Sequence, residues 1–321
     1  MLPLEFQPIL KRIRWGGRRL AQLGKPIGAE GDYAESWELT DHGNDQSVVA
    51  SGEYEGWTLR RLVEERNDEL FGKHAGLRQF PLLVKFLDAN DRLSVQVHPN
   101  DEQAKRYDPS ENGKTEAWLI VDAEPGSRLY AGLKKGLTAE DLRAASLDGS
   151  VETLLHSFEV TPGECVFIPA GTVHAIGAGI LLAEIQQMSN LTFRLYDWGW
   201  LDAQGQPRPV HLDESIACTD FARGPVSPVV PQRTEHRSGV TDDLVRSDYF
   251  VMRRHVLERD HKVPTDNRFH ILMAVKGTGD IVCDGTAQRM SLGRTVLVPA
   301  ASPDVTIHPI GEMTVLEAFL P

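Results

Sequence analysis

The sequence predicts a mainly β protein built from two similar β-barrels in tandem, with a few short helices inserted. Three observations predict it. Most of the chain reads as short alternating or apolar runs punctuated by glycine and proline, the pattern of a sandwich or barrel. Helical periodicity is confined to short stretches. Finally, part of the chain occurs twice. Residues 163–174, G-E-C-V-F-I-P-A-G-T-V-H, match 293–304, G-R-T-V-L-V-P-A-A-S-P-D, with Gly, Val, Pro and Ala at identical offsets. Upstream, W-L-I-V-D-A-E-P-G-S-R-L-Y-A-G (118–132) aligns without gaps with I-L-M-A-V-K-G-T-G-D-I-V-C-D-G (271–285). Two copies of one strand-and-glycine-turn unit point to a duplicated barrel.

The helices come first in chain order. Periodic apolar residues at Trp57, Leu59, Leu62 and Val63 predict one. A second is expected from Asp101 to about Tyr107, with Asn100 as its N-cap. A third begins at Thr138, where Asp141 completes a capping box in place of the usual glutamate. This third helix lies in the 30 residues between Gly132 and Gly163, against seven between Gly285 and Gly293, so it reads as a loop insertion in the first copy. The Pro-rich, charged stretch R-G-P-V-S-P-V-V-P-Q-R suggests a connector. The expected organisation is a catalytic barrel domain over 1–222, a connector over 223–239 and a metal-free barrel over 240–321.

Composition narrows the function. A net charge of -12 argues against non-specific binding to nucleic acid or anionic membranes. The three cysteines are odd in number, far apart and outside any CxxC pattern, which suggests reduced thiols in a cytoplasmic protein. The N-terminal stretch does not read as a signal peptide, and no apolar run approaches the ~18 residues of a membrane span. A monomer or weak homodimer is expected.

The chemistry concentrates in the first copy. In L-S-V-Q-V-H-P-N-D (93–101), Ser94, Gln96 and His98 fall on one face of a strand and Val95 and Val97 on the other. Glu116 opens the next strand, and His174 follows the P-A-G-T turn. Gln96, His98, Glu116 and His174 make an N2O2 donor set suited to Zn2+ or another borderline divalent ion. In the second copy the position of His174 is Asp304, and gapless alignment sets Phe269 against Glu116. One barrel is therefore expected to be the active site and the other structural. Lys114, two residues before Glu116, and Arg194, in T-F-R-L-Y-D, add two cations. A lysine and an arginine aimed at a metal pocket in an acidic protein imply an anionic substrate such as a phosphate.

The motifs V-Q-V-H-P-N-D, G-K-T-E-A-W, P-A-G-T-V-H-A-I-G and L-A-E-I-Q-Q-x-S-x-x-T-F-R-L-Y-D strongly resemble the type I mannose-6-phosphate isomerases in their short bacterial form. R-W-G-G-R-R-L, A-E-S-W-E-L-T and P-L-L-V-K-F-L-D-A resemble that family too, so the likeness spans residue 7 to about 200 and continues more weakly to the C-terminus. The resemblance implies a tandem cupin (jelly-roll) fold holding one Zn2+ per chain through Gln96, His98, Glu116 and His174. It implies a catalytic Arg194 and an active-site Lys114, with Ser94 beside them at the substrate. The implied reaction interconverts mannose 6-phosphate and fructose 6-phosphate through a cis-enediol. Met188 and Asn190 depart from the small polar and acidic residues of many relatives. Two other readings compete: a bicupin dioxygenase using a redox-active metal, and a non-catalytic sugar-binding cupin. The first would not need Lys114 and Arg194, and usually presents three histidines. The second leaves the retained ligands unexplained.

Overall fold

A computed structural model describes all 321 residues. The first barrel packs a sheet of six strands over one of five. The six run, in spatial order, Cys165–Ile168, Glu116–Ala123, Ile180–Gln187, Leu82–Ala89, Tyr33–Leu39 and Ile9–Gly17. The five are Leu155–Glu159, Arg128–Leu133, His174–Ile176, Val95–Val97 and Phe193–Tyr196. Trp118, Ile120, Leu129, Ile176 and Leu182 fill the space between the sheets. Val95 and Val97 lie in a separate apolar layer with Leu142 and Ala145, behind the smaller sheet. The alternation in 93–98 is thus resolved by burial on both sides, with Gln96 turned toward the barrel interior.

The second barrel repeats the plan with Thr278–Cys283, Thr286–Ser291, Val305–Pro309 and His261–Lys262 facing a sheet of eight strands. A core of 36 buried residues, Phe71, Phe80 and Phe269 among them, joins the barrels. The repeated glycines keep one role in both copies: Gly163 and Gly293 have φ of 92° and 81°, and Gly132 and Gly285 have φ of 80° and 73°. Only glycine takes these left-handed values freely.

The three expected helices form as Leu59–Glu65, Asp101–Tyr107 and Ala139–Asp148, capped by Thr58, Asn100 and Thr138, the last two with full capping boxes. Short helices at Asn67–Phe71 and Leu212–Cys218 were not expected. Three expectations need correction. The connector over 223–239 ends within the second barrel, since its residues Gln232–His236 form a strand paired with Gly239–Arg246 at the edge of that barrel's larger sheet. The first barrel is not contiguous with the N-terminus, because Leu4–Gln7 pairs with Thr295–Val298 in that same sheet. The residue equivalent to Glu116 is His270, not Phe269. Glu116 pairs with Ile168 and His270 with Val298, and Ile168 and Val298 occupy the same place in the repeat. Gapless alignment slips by one residue here, and one residue reverses which side of a strand a side chain occupies.

Candidate metal centre

Three antiparallel strands bring the donors together. His174 lies opposite Gln96, and Gln96 lies opposite Arg194, so the three stand in one row across the smaller sheet. Glu116 reaches the same space from the larger sheet. His98 follows the last residue of its strand and is fixed by the chain reversal that Pro99 begins. The G-K-T-E segment is pinned by backbone contacts: Lys114 N–H donates to the Pro99 carbonyl at 3.0 Å, and Gly113 N–H donates to Asp101 at 2.8 Å. A Cβ on Gly113 would stand 2.5 Å from the Asp101 nitrogen, so this approach requires glycine. Lys114 precedes the strand, which starts at Glu116, rather than lying in it.

Three of the donors are buried, His98 1% exposed and Glu116 and His174 0% exposed, and Gln96 is partly exposed. Glu116 Oε1 lies 3.3 Å from His174 Nε2, and Oε2 lies 3.5 Å from His98 Nε2 and 2.7 Å from Lys114 Nζ. The Gln96 amide nitrogen is 3.2 Å from His174 Nε2, and Lys114 Nζ is 3.1 Å from His98 Nε2.

The outer nitrogens fix the tautomers. His174 Nδ1 is 2.8 Å from the Thr172 carbonyl, and His98 Nδ1 is 3.2 Å from the Leu191 carbonyl. A carbonyl can only accept, so each Nδ1 carries the proton and each Nε2 turns its lone pair inward. Burial lowers the pKa of both imidazoles, that of His98 to about 3, with the Lys114 charge adding to the effect. Burial opposes ionisation of Glu116, but the Lys114 charge beside it leads the effects that hold its carboxyl well below the usual range. Two neutral imidazoles and an ionised carboxylate are the protonation states that metal ligation requires. Neither Glu116 oxygen accepts a hydrogen bond of good geometry, despite complete burial. A buried carboxylate whose close partner is the Lys114 ammonium, with two inward imidazole lone pairs beside it, fits a divalent cation.

Ser94 is buried one residue before the Gln96 strand. Arg194 is half-buried at the edge of the centre, its Nη1 donating to the Pro209 carbonyl at 2.7 Å. Burial, followed by the positive charges of Arg208 and Arg14, lowers its pKa. Those two arginines converge on Asp197, Arg208 through two bonds of 2.7 Å and Arg14 at 3.2 Å. This grouping was missed in the sequence, where the three arginines are up to 194 residues apart and carry no shared spacing. Also missed was Lys85, buried 3.3 Å from Glu184 and 3.4 Å from Glu35. Its signal was a lone lysine inside the apolar run P-L-L-V-K-F-L. Met188 belongs to the core between the barrels, so its departure from relatives does not reach the metal donors.

The description of the phosphomannose isomerase type I catalytic domain matches residues 4–142, and that of the mannose-6-phosphate isomerase cupin domain matches 241–318. The mannose-6-phosphate isomerase ManA of Bacillus subtilis is 37% identical over 302 residues, covering 92% of this chain and 93% of that one. This chain is a type I phosphomannose isomerase. A mannose-6-phosphate isomerase of Streptococcus mutans is 34% identical, with 92% of each chain covered. The crystal structure of a Bacillus subtilis mannose 6-phosphate isomerase superposes with a TM-score of 0.91 at 28% identity, covering 99% of both chains. Phosphomannose isomerase structures from Salmonella typhimurium, at 17% identity and TM-scores of 0.77 to 0.79, share the fold. The catalytic-domain match ends before His174 and Arg194, so geometry alone joins these two to Glu116 in this isomerase.

Proposed function

We propose that this isomerase interconverts mannose 6-phosphate and fructose 6-phosphate with one catalytic zinc, held by Gln96, His98, Glu116 and His174. The observation that carries the reading is the buried Glu116 carboxylate, faced by two imidazole lone pairs and paired with the Lys114 ammonium. An ion held there supplies Lewis-acid stabilisation of negative charge on the sugar oxygens. The exchange removes the C2 proton, passes through a cis-enediol, returns a proton to C1 and leaves the carbonyl at C2. The oxidation level of the whole sugar is unchanged, so a redox-inert ion suffices.

Burial divides the two cations between tasks. Lys114 is 5% exposed and lies against Glu116 and His98, too deep to meet a phosphate in solvent. It is placed to donate to a sugar oxygen as the ring opens and to exchange a proton there. Arg194, at the edge of the centre near Arg14 and Arg208, binds the phosphate or the developing enediolate charge. Ser94 lines the same side of the site. Three buried cysteines without a disulfide support a cytoplasmic setting.

Metal analysis combined with a coupled assay for fructose 6-phosphate tests the reading. One zinc per catalytic site and isomerase turnover are expected. Substrate-dependent oxygen uptake would instead support the dioxygenase alternative. Arg194→Ala should lower kcat by roughly 10²–10³ while metal content stays that of the wild type. Loss of the zinc in that variant would reassign Arg194 to metal support.

A further inference from the structure

The second barrel contains a cluster of imidazoles that the isomerase reaction does not use. His236 ends the strand Gln232–His236, His255 lies in Val251–Leu257, and His261 opens the strand His261–Lys262. One ligand nitrogen from each lies within 4.8 Å of the others. The His255 and His261 ring centroids are 4.7 Å apart, and those of His236 and His261 are 5.5 Å apart. We propose that His236, His255 and His261 form a second divalent-metal site, structural in role, that ties the edge hairpin of the second barrel to its sheet.

Its outer contacts are those of a ligating histidine. His255 Nε2 is 3.0 Å from Glu317 Oε2, and both side chains are buried. Glu317 stands among donors, with His270 Nδ1 at 2.8 Å from its other oxygen and Arg253 at 3.9 Å. His255 Nε2 therefore carries the proton, and Nδ1 points its lone pair toward His236 and His261. A carboxylate that orients a histidine from behind is the usual outer contact of a metal ligand. His261 faces both other rings, 4.7 Å from that of His255 and 5.5 Å from that of His236. Its Nδ1 meets only Ser238 Oγ, at 3.1 Å, which leaves Nε2 available.

Two small hydroxyls fill the remaining contacts. Thr241 Oγ1 is 2.7 Å from His236 Nε2 and 2.8 Å from His255 Nδ1. Ser238 Oγ is 2.8 Å from His236 Nδ1. Both can turn aside by side-chain rotation when an ion joins the three nitrogens. Three imidazoles select a borderline ion such as Zn2+, Co2+ or Ni2+ over Mg2+ or Ca2+, which prefer oxygen ligands. The fourth position is left to water or to one of the hydroxyls.

The test uses the full chain, stripped by chelation and titrated with Co2+ and Zn2+. His261→Ala is the main variant, because His261 is only half-buried, whereas loss of His255 would leave Glu317 buried with one partner fewer. Wild type should bind two equivalents and His261→Ala one, with kcat unchanged. His98→Ala should keep one equivalent and still show a rise in Tm on adding Zn2+, and His98→Ala/His261→Ala should lose that rise. His236→Ala, at the exposed edge, should repeat the loss of one equivalent. A wild type binding one equivalent, abolished by His98→Ala and untouched by His261→Ala, would overturn the site and leave these histidines as a hydrogen-bonded cluster. A single equivalent abolished by His261→Ala and kept in His98→Ala would support this site and overturn the zinc reading of the first.

Discussion

The two barrels place a carboxylate and histidines at equivalent depths and use them in opposite ways. In the first, Glu116 accepts no hydrogen bond of good geometry, and the histidines around it point lone pairs inward. In the second, Glu317 is bonded to His255 at 3.0 Å and to His270 at 2.8 Å, with Arg253 at 3.9 Å. His270 stands where the first barrel has Glu116, and Glu317 stands where it has Glu184, since each glutamate lies opposite the next strand's equivalent residue. Residue type alone does not make a catalytic metal centre. What distinguishes the first barrel is that its carboxylate meets inward lone pairs and one ammonium, whereas Glu317 is already satisfied by protons on its histidine neighbours.

The sharpest way to break this contrast is to neutralise each carboxylate. Glu116→Gln keeps the shape but removes the charge, so the first barrel's equivalent of metal should be lost and kcat should fall by about 10³ or more, as expected when transition-state charge stabilisation is lost. The charge also leaves its partner Lys114, 2.7 Å away and buried, so the urea midpoint should fall as well and turnover is referred to the folded molecule. Elemental analysis beside the coupled assay decides it, and a Glu116→Gln protein retaining both zinc and turnover would refute the centre. Glu317→Ala should do the reverse. Removing one partner of a buried, hydrogen-bonded ion cluster costs about 3–5 kcal/mol. The urea midpoint should therefore drop strongly while turnover per folded molecule changes little.

Acidity separates the barrels more gently. Burial opposes the charge of His270, but bonds to Glu317 and to Asp266, at 3.1 Å, outweigh it and raise its pKa. A raised folded-state pKa contributes stability that is fully present below the unfolded value, about 6.5, and is lost as pH rises through the folded value. The stability gap between wild type and His270→Asn should therefore be largest near pH 6 and shrink by about pH 9. Urea midpoints measured across that range check it. A gap that grows with pH would mean that His270 is neutral and the second barrel's cluster is not an ion pair.

Much of the first centre was legible because its logic is local. Alternation in S-V-Q-V-H fixes which side Gln96 takes, and the P-A-G-T turn delivers His174 at the start of a strand. Helix caps were equally legible, since Asn100 and Thr138 bond residues only three positions away. The rest depends on pairings distant in sequence. Nothing in L-E-F-Q indicates that its partner strand is Thr295–Val298. The slip that hid His270 comes from spacing between strands, where a change of one residue leaves the apolar pattern of the run intact. Arg14 and Arg208 came together only through Asp197.

The smallest effect concerns the one large element the second barrel lacks. The helix Ala139–Asp148 buries Leu142 and Ala145 against the layer containing Val95 and Val97, behind the strand that presents Gln96. Its cap is exposed: Thr138 Oγ1 accepts from Asp141 N–H at 3.2 Å, and Thr138 N–H donates to Asp141 at 2.9 Å. Thr138→Ala should cost ~1 kcal/mol in global stability. The donors are held by strand pairing and by the Pro99 and Thr172 turns, none of which passes through this cap, so KM, kcat and zinc affinity should not move. Denaturant titration and steady-state kinetics on the same preparation check both halves. If zinc affinity falls along with stability, the insertion is part of the centre's support. The missing helix would then join the satisfied Glu317 as a reason why the second barrel has no catalytic role.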